Sequence, residues 1–284
     1  MKTVEYGTKT GALVVYFHGA PGAIKECAVF DKHAQENNLR IVSLDRFAVK
    51  DAVDQDCYYQ QIASQIKRII GDEPLDIIGF SIGTHVALEV GAILRNQVRN
   101  IHLISSVAPL HKGDFIDHMA GGSVFTLAKE SPVVFKLLTF CQKVMAMLAP
   151  SLLVRLLFAS ATGQDRELIK QPEFISYITS VIKHCFQAGT AGYMRDIKHY
   201  VTWPGYFDAY TSNVQIWHGT DDNWSPFSMA TTLKQSIPGE TKLEAMQGLS
   251  HYSCLFSAAP KICTQLRKAL SLIHISEPTR LLSI

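Results

Sequence analysis

The pentapeptide Gly79-Phe80-Ser81-Ile82-Gly83 constrains this chain more than any other stretch. A short apolar segment, Pro74-Leu75-Asp76-Ile77-Ile78, precedes it and reads as a buried strand. Thr84-His85-Val86-Ala87-Leu88-Glu89-Val90 follows and reads as a helix. Strand, sharp turn and helix make a nucleophile elbow, in which a serine sits on a strained turn at the top of a sheet. Gly79 and Gly83, two residues either side of Ser81, leave room for the turn to close without Cβ clashes. An ordinary Gly-rich turn has the same bare pattern, and it is the flanks that favour the elbow.

Upstream, the apolar run Ala12-Leu13-Val14-Val15-Tyr16-Phe17 reads as a buried parallel strand and ends in His18-Gly19-Ala20-Pro21-Gly22. A serine that attacks a carbonyl generates an oxyanion, and two backbone N–H groups must hold it. One comes from the residue after the serine, Ile82, and the other from the loop after an early strand. Pro21 has no N–H, which leaves Ala20 as that donor. A plain Pro-Gly turn is the competing reading. His18 reads as a brace for the loop, not as a reacting group.

Two further motifs follow. The strand-like Val214-Gln215-Ile216-Trp217 runs into His218-Gly219-Thr220-Asp221-Asp222, and Thr241–Met246 leads to Gly248-Leu249-Ser250-His251-Tyr252. Alone, an Asp after a strand is usually a turn residue and a His beside Gly is a surface or core residue. Here the order Ser81, Asp222, His251 is the Ser…Asp…His order of one hydrolase architecture, with each residue at a strand end.

On these four motifs the chain resembles the α/β-hydrolase superfamily, and within it the capped serine hydrolases with an H-G-x-P-G loop. The resemblance covers roughly residues 1–269. It implies an α/β fold, a mostly parallel sheet flanked by helices, with a helical cap inserted before the acid strand. The hydrolase core would be residues 1–108 and 212–269, and the cap 109–211. Ser81 would be the nucleophile, His251 the general base, and Asp222 the acid that orients the imidazole. The family's H-G-x-x-D spacing from His218 lands on Asp222, not on Asp221. His18, Gly19, Gly79 and Gly83 would be structural members of the motifs. Haloalkane dehalogenases and epoxide hydrolases of this fold carry Asp where this chain has Ser81.

The expected activity is cleavage of an acyl compound, foremost a carboxylic ester, through an acyl-enzyme, without cofactor or metal. Thioester hydrolysis, acyl transfer and C–C hydrolysis would use the same triad, and a non-catalytic ligand-binding member of the fold is the alternative of another class. The partner expected is a small acyl substrate with an apolar part. The sequence does not set an oligomeric state.

The chain departs from the family after the strand at 40–44. The usual D-x-x-G-x-G is replaced by Asp45-Arg46-Phe47-Ala48-Val49-Lys50, so that loop takes another path, with Asp45 and Arg46 either at the site entrance or in a surface ion pair. Room before Ala12 allows one short strand, at Thr3–Tyr6. Helices are expected at 24–37, 56–70, 82–95, 226–237 and 257–269, and further strands at 98–107, 213–218 and 241–246.

Composition agrees. A chain of 284 residues with 47% hydrophobic residues can bury one large core. Net charge is +2 and no Lys/Arg run exceeds two, so nothing points to nucleic acid. Six scattered cysteines and an N-terminus without an apolar h-region fit a cytoplasmic protein. The richest apolar stretch, Pro132–Ser160, is interrupted by Lys136, Lys143, Arg155 and Pro150. It is too broken for the ~18 apolar residues of a transmembrane span. It reads as a helical hairpin that packs on the core or lines an acyl pocket, with docking on a membrane surface as the minor reading. His111, Asp114, Asp117 and His118 fit no zinc spacing. Leu270–Arg280 resembles the translated adapter of a transposase-based sequencing library. Residues 270–284 are therefore read as an artefactual tail on a natural chain that ends or is interrupted near Ala269.

Overall fold

Strands that are apolar on both faces need cover on both faces, and four such runs build the middle of the sheet. They are β2 (Ala12–Phe17), β3 (Leu39–Leu44), β4 (Leu75–Phe80) and β5 (Val98–Ile104). With β1 (Thr3–Gly7), β6 (Asn213–Gly219) and β7 (Lys242–Met246) they form a seven-stranded sheet in the order β1-β3-β2-β4-β5-β6-β7. Every pairing is parallel except β1 with β3. The structure is a computed structural model that describes residues 1–49, 54–207 and 213–276, with side chains in the last helix as far as residue 271. Lys50 of the departing loop, the end of the expected cap at 208–211, residue 212 and tail residues 277–284 lie outside the described residues.

Helices cover both faces. Helix α1 (Asp31–Glu36) packs against α11 (His251–Ser276) on one side. Helices α2 (Gln55–Ile70) and α3 (Gly83–Leu94) pack together on the other, where α10 (Phe227–Ser236) lies against β6 and β7. Helix α2 starts where the Asp54 carboxylate accepts the Cys57 N–H at 2.7 Å and stops at Gly71, whose φ of +63° ends the helix without a Cβ penalty. The architecture is the mostly parallel, helix-flanked sheet expected of the sequence.

Three elements differ from that reading. The expected helix at 24–37 opens as a 3₁₀ turn over Ile24–Phe30 and becomes α1 only from Asp31. The strand expected to reach 107 ends at Ile104: Ser105 N–H still makes the last ladder bond, to Trp217 O at 2.9 Å, but its φ of +46° turns the chain out of the sheet. Helix α11 starts at His251 and not at 257. The Asp165 carboxylate, on α7 (Asp165–Leu168), accepts the N–H of Ser253 at 2.7 Å and of Tyr252 at 3.0 Å. A buried acid from elsewhere in the chain thus satisfies the first-turn amides that local sequence leaves open.

Between β5 and β6 run α4 (Gly122–Glu130), α5 (Pro132–Leu148), α6 (Pro150–Leu157), α7, α8 (Pro172–Gln187) and α9 (Ala191–Val201). Proline opens α5, α6 and α8, where its missing N–H would have no helical partner. On α5 the buried face is Phe135, Thr139 and Ala146, while Val133, Leu137, Phe140 and Leu148 face solvent. The packed-core reading of this run therefore fails for its outer face. Among the described residues no helix is long and apolar enough to cross a membrane.

Candidate active site

The sheet brings the C-terminal ends of β2, β4 and β6 to one edge, and the singled-out residues emerge there. Ser81 follows β4 and holds φ +54°, a left-handed backbone for a non-glycine residue. Three bonds hold the turn. Ser81 N–H donates to Ile104 O at 3.0 Å, and the Thr84 hydroxyl and N–H both donate to Ser81 O, at 2.6 and 2.9 Å. Thr84 Oγ1 in turn accepts Val107 N–H at 3.1 Å. A Cβ on Gly79 would meet Ala87 Cβ at 2.8 Å, and one on Gly83 would strike the carbonyl oxygens of Phe17 and His18. Those two glycines let α3 start hard against the ends of β2 and β4.

Asp222 and His251 meet. His251 Nδ1 donates to Asp222 Oδ2 at 2.8 Å, since a carboxylate only accepts, and this leaves Nε2 as the bare ring nitrogen. Asp222 Oδ1 accepts the N–H groups of Trp224 and Ser225, each at 2.9 Å. Burial pushes the Asp222 carboxyl up, but His251, His218 and the Ser225 amide outweigh it and hold the group below the usual carboxylate range. His218 itself is neutral. Its Nδ1 accepts Ser106 N–H at 3.1 Å, its Nε2 donates to Ser225 O at 2.7 Å, and burial lowers its basicity. The Trp224 ring stacks on the His251 ring, 5.2 Å between centroids and 25° between planes. The Phe80 ring, next to Ser81, lies 4.9 Å away on centroids. Asp221 is exposed, and the Thr220 hydroxyl donates to its carboxylate. Ser81 Oγ and His251 Nε2 have no hydrogen-bond partner among the described residues, so the two make no hydrogen bond to each other.

The loop after β2 is held from behind. Gly19 O accepts from His18 Nδ1 at 2.8 Å and from Arg46 Nη2 at 3.2 Å. In a trans peptide the N–H points opposite the C=O, so the Ala20 N–H is turned away from Arg46. The amides of Ala20 and Ile82 have no protein partner among the described residues, and both residues line a cavity of about 210 Å³ that also exposes Ser81. Trp224 walls this cavity together with Phe125, Leu156, Tyr193 and Ile197 from the helices after β5. Its described lining holds no Asp, Glu, Lys or Arg.

Local sequence did not reveal how this loop is supported. Arg46 is neither at the entrance nor in a surface pair. It is fully buried, and its Nε donates to Asp196 Oδ2 of α9 at 2.6 Å. Asp196 Oδ1 accepts the Tyr58 hydroxyl at 2.8 Å. Burial pushes Asp196 up, and Arg46, Arg195 and Tyr58 more than reverse it. Glu26 is also buried and accepts Gly19 N–H at 2.7 Å and the Tyr16 hydroxyl at 3.0 Å. Burial raises its carboxyl to about 7, against the pull of those bonds. An acid within the apolar run after Gly22 was the one available sequence signal. Ser105 Oγ donates to His251 O at 2.9 Å, a second support that no motif announced.

The remaining candidates stand apart. His85 donates from Nδ1 to Ile82 O at 2.7 Å and accepts Tyr59 OH at 3.1 Å, buried with a pKa lowered to about 4 by desolvation. His111, Asp114, Asp117 and His118 are exposed, and no cluster of metal-ligating groups occurs among the described residues.

Residues 12–258 match a family model described as alpha/beta hydrolase fold. No curated protein sequence matches. Among solved structures, a thermophilic esterase from Thermogutta terrifontis is 16% identical with a TM-score of 0.64, over 96% of this chain and 93% of that one. An esterase from Exiguobacterium antarcticum is 18% identical, TM-score 0.63, over 95% and 94%. A bromoperoxidase from Bacillus anthracis is 15% identical, TM-score 0.64, over 95% and 93%. At these identities the likeness is one of fold.

Proposed function

This chain belongs to the α/β-hydrolase family, and from that premise we propose that it is a serine hydrolase that cleaves a carboxylic ester. The observation that carries the reading is the buried Asp222–His251 pair, with its bare Nε2, beside a left-handed Ser81 that opens into an uncharged cavity. Ser81 Oγ attacks the ester carbonyl while His251 Nε2 takes its proton, and the Asp222 carboxylate faces the imidazolium that forms. The Ala20 and Ile82 N–H groups hold the oxyanion. Collapse expels the alcohol, which receives the proton from His251. Water then attacks the acyl-enzyme, again giving its proton to His251, and frees the acid and Ser81. Residues 109–211 act as a cap, for the helices between β5 and β6 supply most of the cavity wall. A lining without charged side chains suits an apolar acyl or alcohol group and disfavours a charged one.

The test is labelling of the purified protein by a fluorophosphonate probe beside Ser81→Ala and His251→Ala. Labelling that vanishes in both folded variants supports an activated serine. A folded wild-type protein that never labels, even with α5 loosened by truncating its inward Phe135, overturns the reading in favour of a ligand-binding protein.

A further inference from the structure

We propose that the outward face of the α5–α6 hairpin docks on an anionic phospholipid bilayer. Val133, Leu137, Phe140, Val144 and Leu148 recur every three or four residues and form one stripe on α5, opposite its buried Phe135, Thr139 and Ala146. Leu152 and Leu156 are exposed on α6, which packs against α5. Val133 is 82% exposed, Leu148 81% and Leu137 62%. An apolar stripe left exposed along one helix, with further exposed leucines on the helix packed beside it, is the kind of surface that a folded protein keeps for a partner.

Charge selects the partner. From Ser131 to Gln164 the chain has Lys136, Lys143 and Arg155 and no Asp or Glu, so this stretch carries +3. Lys136 and Lys143, seven residues apart, share one flank of the stripe. The groove between α6 and α8 adds Lys183 and Lys170 beside Arg155. Lys170 pairs with Glu167 at 2.6 Å, while Arg155 and Lys183 have no carboxylate partner among the described residues. A cationic rim around an apolar stripe matches lipid phosphates around acyl chains. The same charge opposes a second copy on this face, because symmetric pairing would set cation against cation. Leu156 is exposed on α6 and also lines the cavity, so a docked face sits at the cavity mouth. The docking itself does not depend on the proposed hydrolysis.

The full chain is sedimented with vesicles of phosphatidylcholine alone and of phosphatidylcholine with roughly 30% phosphatidylglycerol, which should bind at least tenfold more tightly. The variant L137E/F140E/L148E, altered only at exposed positions outside the cavity, is expected to keep its circular dichroism and stay in the supernatant. The variant K136Q/K143Q/R155Q should bind the anionic vesicles on the order of a hundredfold more weakly. The proposal is overturned if the wild-type protein ignores both vesicle types, or if the triple-Glu variant binds as the wild type does. A dimer in vesicle-free buffer that the triple-Glu substitution dissolves would equally overturn it and assign the face to a second copy.

Discussion

Two buried aspartates each hold a basic partner, Asp222 with His251 at 2.8 Å and Asp196 with Arg46 at 2.6 Å, and they put similar chemistry to different uses. The imidazole uses one nitrogen on its carboxylate and leaves the other without a hydrogen-bond partner among the described residues. The guanidinium keeps its charge throughout, and its other nitrogens point back to Gly19 O and a packed interior. On the proposed mechanism, one pair moves a proton and the other keeps a peptide plane still. The difference teaches that a buried acid–base pair is to be read by what the base's other nitrogens touch.

The comparison can be broken at four places. Alanine at His251 is expected to lower ester turnover by about 10⁴–10⁶-fold in kcat with little change in thermal unfolding, read by steady-state kinetics and calorimetry. Asparagine at Asp222 should follow with a loss of about 10⁴-fold in kcat, because the amide favours the wrong imidazole tautomer. Methionine at Arg46 should act first on stability, since it leaves the buried Asp196 carboxylate with only the Tyr58 hydroxyl and the more distant Arg195, at up to about 3 kcal/mol in urea unfolding. Adding Asp196→Leu should restore most of that stability but not kcat, because Gly19 O still lacks its guanidinium. If activity returned with stability, the positioning role would fall and only a packing role would remain.

The last effect concerns pH. The Glu26 carboxyl is raised from 4.5 to about 7, so the folded state holds a proton that the unfolded chain releases between those values. Stability is therefore full below 4.5 and falls as pH rises to about 7, by on the order of 3 kcal/mol. Glutamine at Glu26 should flatten that window. The Asp222 shift has the opposite sign, since its folded pKa is depressed. Its contribution is present above the unfolded carboxylate range and is lost as pH falls through the folded value, and Asp222→Asn should remove that acid-side loss. A pH series of thermal midpoints separates the two.

What the sequence showed of this molecule was local in kind. Apolar runs gave the strands, and glycines beside Ser81 and the H-G loop gave the turns, because each depends on residues within a few positions. Arg46 was misread because its partner Asp196 lies 150 positions away on another element. The start of α11 was misplaced because its capping acid, Asp165, lies 87 and 88 positions before the amides it holds. The exposure of the outer face of α5 was not foreseen in the reading as core or pocket lining, because hydrophobicity alone does not say which side of a helix the fold leaves open. Of the candidate site, the residues that meet at the sheet edge were legible in type and order, and the residues that brace them were not.

Asp165 also bears on how such a protein could diversify. Grafting onto this sheet the helices that a relative carries between β5 and β6 would remove in one stroke the acid beneath the first turn of the His251 helix and, with Asp196, the counter-ion of Arg46. The insertion is therefore no interchangeable cassette. A chimera that alters the helices there must bring acids to both positions, or inherit a His251 turn and an H-G loop that have each lost an anchor.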